Sequence, residues 1–258
     1  MALGHVVHDL RREGEALHDR DRVAALAEHL GVPFVWRRVS VRGTAGNDEA
    51  NARRARYEAL STLAREGGWA FLATAHHADD QLETVLMRLI RGAGPAGLGG
   101  IAPTRDLGGV RLIRPMLEID RSDCEAICRS CGWQWVEDRT NRDESRLRNA
   151  LRARVLPELR AIRPSAARAS VRSAGLCGQA GAIIRERACE VLERARMDDH
   201  GGGIALDRGV LRREPAIVLG EVIRLGAGER GRDRLSQRVI DRVVLAILEQ
   251  RGDRRMFT

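Results

Sequence analysis

Hydrophobic and polar positions change period several times along the chain. Ala2 to His8 is a short apolar run, and the charged stretch from Asp9 to Glu15 ends it. A run of that length predicts a strand buried on both faces. The following periods predict a helix around Asp19 to Leu30, a strand from Phe34 to Val39 and a helix from Asp48 to Glu66. A strand from Trp69 to Thr74 and a helix from Asp79 to Arg91 complete the alternation. Gly31 and the pair Gly67-Gly68 stand where helices stop, and Asn47 stands where a helix N-cap belongs. This βαβαβα order predicts an α/β fold with a doubly wound, Rossmann-like parallel sheet, whose ligand sites lie at the carboxyl ends of the strands. Central parallel strands are ordinarily led into by another βα unit, so a strand beginning at Met1 reads as an interior one without its upstream neighbour.

The glycine-rich stretch Gly92 to Gly100 then interrupts the pattern, and a short edge strand is expected at Val110 to Ile113. A helix from Asp120 to Cys131, a strand at Trp133 to Trp135, a polar run from Glu137 to Glu144 and a helix from Ser145 through Leu159, ended by Pro164, come next. Beyond Pro164 strand signals nearly vanish. Ser165 to Arg196 and Leu235 to Gln250 carry helical periods, with breaks at Gly201 to Gly203 and Gly226 to Gly231. Two domains are expected: an α/β unit over 1–160 and a smaller, mainly helical unit over 161–258.

Composition sharpens this outline. An apolar fraction of 43% is ample for a core and argues against a disordered chain. The net charge is +8, and all 44 basic residues are arginine. Arginine's planar fork matches phosphate oxygens, so the balance favours a polyanionic partner. A GC-rich genome would also replace lysine by arginine, but it would not by itself create the surplus of basic over acidic residues. Five cysteines, three of them at Cys124, Cys128 and Cys131, fit reduced thiols on one helix face in a cytoplasmic protein. Neither a second cysteine pair nor a nearby histidine completes a metal site there. No apolar run approaches the ~18 residues of a membrane span. Aromatic residues are 3% of the chain, so base stacking can supply only a minor part of any nucleic-acid recognition.

The densest chemistry lies where the strand ending at Thr74 turns into a helix: Ala75-His-His-Ala-Asp-Asp-Gln-Leu-Glu-Thr84. At about 100° per residue, Leu82, Val85, Leu86 and Leu89 share one arc, while Asp80, Glu83, Thr84 and Arg88 share the other. Carboxylates at this edge could hold Mg²⁺ against phosphates or accept a proton from an amine. They could equally be the ordinary acidic complement of a helix N-terminus, with surface histidines beside them.

The same string, continued by Arg88-Leu-Ile-Arg91-Gly92, resembles a signature of the tRNA(Ile)-lysidine synthetases, members of the N-type ATP pyrophosphatases. His5-Val-Val-His8-Asp-Leu-Arg11, Ala52-Arg53-Arg-Ala-Arg56-Tyr57, Arg114-Pro115-Met-Leu117, Trp135-Val-Glu-Asp138-x-x-Asn141 and Arg148-Asn149-x-x-Arg152 follow in that family's order. The resemblance implies a cytoplasmic ligase that uses ATP and Mg²⁺ to join free L-lysine to the wobble cytidine of the tRNA(Ile) with a CAU anticodon, through an adenylated tRNA. It further implies catalytic roles for Asp80, Glu83, Arg53 and Arg56, with Asp80 also holding Mg²⁺. His76, His77 and Asp79 would line the nucleotide, and Arg88, Arg91, Arg148 and Arg152 would contact tRNA. One departure is plain: the family's Ser-Gly-Gly-x-Asp-Ser phosphate loop is not in this sequence, and its natural position is just upstream of Met1. The chain taken literally is therefore expected to be impaired in ATP chemistry. A tRNA-binding remnant without catalysis and a tRNA-thiolating relative are the alternatives, and a homodimer stays open.

Overall fold

The computed structural model describes residues 1–10, 13–43, 45, 48–133, 135, 146–198, 203–231 and 235–249. The first two strands, β1 (Leu3–His8) and β2 (Phe34–Val39), pair in parallel from Leu3↔Phe34 to His8↔Val39. Helix α1 (Glu13–His29) makes the crossover, and Gly31 closes it at φ +63°, a conformation that costs glycine little. The carboxylate of Asp9, just past β1, accepts hydrogen bonds from Ser40 Oγ and from the amides of Val41 and Arg42. Those bonds tie the carboxyl ends of the two strands together and hold Asp9 at a pKa of about 2.

Helix α2 (Asp48–Glu66) packs on β1 and β2 and reaches β3 (Phe71–Ala73). Strand β3 pairs in parallel with β5 (Arg111–Ile113), and β4 (Thr104–Asp106) adds to β5 antiparallel. The α/β class and the parallel pairing agree with the sequence pattern. Among the described residues, however, the strands form two sheets, β1–β2 and β3–β5–β4, and β4 was not foreseen. Its three residues are all exposed and polar or charged, which leaves no hydrophobic alternation to detect.

After β3 come α3 (Ala78–Ile90), the single turn α4 (Pro95–Leu98) and, beyond the second sheet, α5 (Arg121–Ser130). The expected strand at Trp133 to Trp135 has no regular structure at its two described residues, and Gln134 lies outside the described set. So do Arg11, Asn47, Asp138, Asn141 and the polar run from Glu137 to Glu144. The helix expected from Ser145 to Leu159 is three pieces: α6 (Leu147–Ala150), a π-helical turn over Leu151–Val155, and α7 (Leu156–Ile162). Pro157 explains the break, because it offers no N–H to the Ala153 carbonyl and the ladder must shift register there.

Helix α8 (Ala166–Ala195) is the spine that joins the two halves. Its first turn places Ala167 in a core with Ala78, Leu82, Leu151 and Leu156. Its last turns place Ala188, Val191, Leu192 and Ala195 in a second core with α10 (Ala216–Glu229) and α11 (Gln237–Leu248). Between these helices lie a two-residue pair, β6 (Arg196–Met197) with β7 (Ala205–Leu206), and the turn α9 (Arg208–Leu211). The break expected over Gly226 to Gly231 does not begin at Gly226, which is buried inside α10 against Ile204 and Leu192. Close packing that needs no Cβ overrides the weak helix propensity of glycine there.

Candidate active site

The carboxyl edge of β3 turns at Thr74 and enters α3 with His77 as its N-cap residue. The His77 amide donates to Asp80 Oδ2 at 3.1 Å, which fixes the first turn and aims the Asp80 carboxylate back across it. His76 is half-buried, and its Nδ1 lies 2.9 Å from Thr74 Oγ1. Burial is the largest influence on His76. Together with the positive fields of Arg114, Arg53 and Arg148 it outweighs the pull of Asp80, and the pKa falls to about 4. At neutral pH this imidazole is uncharged, with Nδ1 engaged by Thr74.

The carboxylates have been claimed by arginines. Glu83 is 1% exposed, and its oxygens accept Arg148 Nε at 2.6 Å and Arg152 Nε at 2.7 Å. Arg148 Nη2 also reaches Asp80 Oδ1 at 3.1 Å. Both arginines come from the segment around the π turn, four residues apart on one face, so the register shift at Pro157 is part of what seats them. Asp79 is buried. It accepts the Arg121 amide at the start of α5 at 2.8 Å and pairs with Arg160 of α7. Burial raises its pKa, but those donors outweigh burial and the net shift is downward.

The remaining expected site residues have these surroundings. Asp79 ties α3, α5 and α7 together. Arg148 and Arg152 reach Glu83 and Asp80 with side chains that stay 33% and 28% exposed. Arg88 donates to the carbonyls of Gly97 (2.5 Å) and Gly100 (2.8 Å), so it braces the glycine-rich stretch. That stretch is packed and does not hang free: a Cβ on Gly181 of α8 would lie 2.6 Å from Ala96 Cα, and one on Gly99 would lie 2.9 Å from Gly178 Cα. Gln81, fully buried, exchanges two hydrogen bonds with the backbone of Ile101. Arg91 is exposed at the end of α3, as a phosphate contact requires.

His77 is enclosed between Asp79 and Asp80, with ring nitrogens 3.7 Å and 3.6 Å from their oxygens. On α2, Arg53 lies over the Tyr57 ring at 5.2 Å and contributes to the positive field at His76. Arg56, three residues on, lines a cavity of about 300 Å³ beside the β1 backbone with Leu60 and Asp19. As a Mg²⁺ site the arrangement does not fit: the oxygens of Asp80 and Glu83 already face guanidinium or amide donors, and a dication would have to expel Arg148. Sequence reasoning passed over Arg114 as a site residue. The available signal was a cation at the carboxyl end of the strand that Pro115 terminates, the position where parallel sheets meet their ligands.

An α/β sheet whose strand β3 delivers a His-His-x-Asp-Asp turn and a cluster of arginines at its carboxyl edge defines a nucleotide-handling PP-loop domain, and residues 1–159 match the family described as PP-loop domain. The chain is 42% identical over 232 residues to the tRNA(Ile)-lysidine synthase of Salinispora tropica, covering 88% of this chain and 67% of that protein. It is 41% identical over 218 residues to the enzyme of that name from Methylobacterium nodulans, covering 83% and 62%. With the Vibrio campbellii protein it shares 42% over 174 residues, covering 67% and 38%. The chain belongs to the tRNA(Ile)-lysidine synthase family. It spans about half the length of several of the curated relatives it matches. Among solved structures, the U34-tRNA thiolase NcsA from Methanococcus maripaludis with its [4Fe-4S] cluster matches at a TM-score of 0.53 and 17% identity, over 69% of this chain and 62% of that one. That likeness is one of fold alone.

Proposed function

We propose that this chain serves the ATP-dependent formation of lysidine in the tRNA(Ile) that carries a CAU anticodon. The C2 carbonyl oxygen of the wobble cytidine attacks the α-phosphorus of ATP and pyrophosphate leaves. The amine of free L-lysine then attacks C2, loses a proton, and AMP departs. The observation that carries the reading is the meeting, at the carboxyl edge of β3, of a neutral His76, the Asp80 carboxylate and the guanidinium field of Arg53 and Arg114.

In this reading Arg53 offsets negative charge on the phosphoryl group. His76, uncharged at neutral pH, hydrogen-bonds substrate or takes the proton that the amine sheds. Asp80 orients the amine, and Glu83 acts at one remove by holding Arg148 and Arg152. Mg²⁺ supplies charge neutralisation on the nucleotide when bound, and no step here passes through it. Arg91 touches tRNA phosphate, and the helical part over 161–258 adds the rest of the tRNA-binding surface, in keeping with the net charge of +8. The setting is the cytoplasm; no helix among the described residues is long and apolar enough to cross a membrane.

The test is an adenylation assay on the purified protein. ATP labelled at the α-phosphate should label CAU-anticodon tRNA(Ile) when lysine is withheld, and adding lysine should release the label as AMP. Labelling that does not depend on the CAU anticodon, or that lysine does not discharge, refutes the proposal.

A further inference from the structure

Several half-buried guanidiniums among the described residues have a carboxylate. Arg148 and Arg152 have Glu83, and Arg160 has Asp79. Arg114 does not. It follows Ile113, the last residue of β5, beside the turn that carries His76, and its side chain belongs to a residue only 7% exposed. Its Nη1 donates to the Ala102 carbonyl, while Nε is enclosed by protein without an acceptor. Among the described residues no carboxylate stands within ion-pair distance of it.

A buried cation with an idle donor is a standing cost to the fold, because water has been stripped from the charge and nothing has replaced it. Such a cost persists where a ligand supplies the missing anion. The surroundings point the same way. Arg53 also lacks a carboxylate among the described residues, and its field and that of Arg114 meet at His76. Asp80, the acidic group that acts on this ring, is already engaged by Arg148 and the His77 amide. The edge therefore carries two cations without a carboxylate among the described residues, the exposed Arg53 on α2 and the buried Arg114 at the end of β5.

We propose that Arg114 is an anion anchor, a buried guanidinium that together with Arg53 holds the phosphoryl oxygens of a nucleotide at the carboxyl edge of β3 and β5. This rests on the nucleotide reading above and adds the residue that fixes the phosphoryl group. Arg114 is pinned by Ala102, so it sets the position of the anion, and Arg53, reaching from α2, closes on it.

The 258-residue chain, wild type and as Arg114→Gln, Arg114→Lys and Arg53→Gln, is titrated with AMP and with adenosine, reading affinity by calorimetry and melting temperature by scanning fluorimetry. Wild type should bind AMP more tightly than adenosine. Arg114→Gln should lose at least tenfold in AMP affinity with adenosine unchanged, and Arg114→Lys should recover part of the loss, since it keeps the charge but not the fork. Ligand-free Arg114→Gln should melt no lower than wild type, because the substitution removes an unpaired buried charge. A large fall in that melting temperature, or failure to fold, marks Arg114 as structural and overturns the proposal. AMP affinity of Arg114→Gln within threefold of wild type overturns the anchor while leaving the nucleotide reading intact. Wild type that does not distinguish AMP from adenosine overturns both.

Discussion

Replacing Glu83 by glutamine tests how the site is held together. Glu83 is 1% exposed and accepts hydrogen bonds of 2.6, 2.7 and 3.1 Å from Arg148 and Arg152. A glutamine keeps the shape, removes the charge and turns one acceptor oxygen into a donor that faces a guanidinium. Truncating one partner of a fully buried pair costs about 3–5 kcal/mol. The two arginine side chains are 33% and 28% exposed, so water recovers part of their lost partner and the estimate falls to roughly 2–4 kcal/mol. At about 2–4 °C per kcal/mol for a chain of this size, the melting temperature should drop by roughly 4–16 °C. Circular dichroism melts of Glu83→Gln, Arg152→Ala and the double variant measure the loss and the coupling, which should be about 1–3 kcal/mol for a contacting charged pair. A melting temperature within about 2 °C of wild type, with no coupling to Arg152, would refute the reasoning that Glu83 anchors the π turn.

Three further outcomes follow from the geometry. His76 has a folded pKa near 4 against 6.5 for the free side chain, so the unfolded chain binds its proton first as pH falls; stability should be full above pH 6.5 and decline toward pH 4, and His76→Asn should flatten that slope in urea titrations. Asp79 is the opposite case, with its folded pKa below 3.8: its contribution is present above that value and fades as pH falls through the folded pKa, so the stability gap between wild type and Asp79→Asn should close in acid denaturation below about pH 4. Gly181→Leu puts a Cβ 2.6 Å from the Ala96 backbone and should cost about 1–3 kcal/mol in chemical denaturation, with protease cleavage appearing between Gly92 and Gly100; an unchanged midpoint would show that α4 does not need α8.

The long periodic elements were readable from the sequence because one physical signal dominated each. Strand Phe34–Val39 and helix Asp48–Glu66 coincide with the pattern at both ends. The turn at His76 to Asp80 was readable as a chemical site because a strand end in an α/β alternation fixes where side chains must converge. Which way each carboxylate points was not readable, since helical phase puts Asp80 and Glu83 on one arc but says nothing of the arginines arriving from residues 148 and 152. The partners of Asp79, Arg121 and Arg160, were not readable because they lie far along the chain. The packed state of Gly92 to Gly100 was hidden for a similar reason: glycines signal flexibility locally, and only the tertiary contact with Gly178 and Gly181 shows that they were needed for close approach.

Mass spectrometry of nucleosides from CAU-anticodon tRNA(Ile) incubated with ATP, lysine and the protein decides whether lysidine is formed. The account predicts a nucleoside whose mass is that of cytidine joined to lysine with loss of water, formed only when ATP and lysine are both present and reduced at least tenfold by Asp80→Asn. Unmodified cytidine throughout, or a sulfur-containing nucleoside in its place, would contradict it.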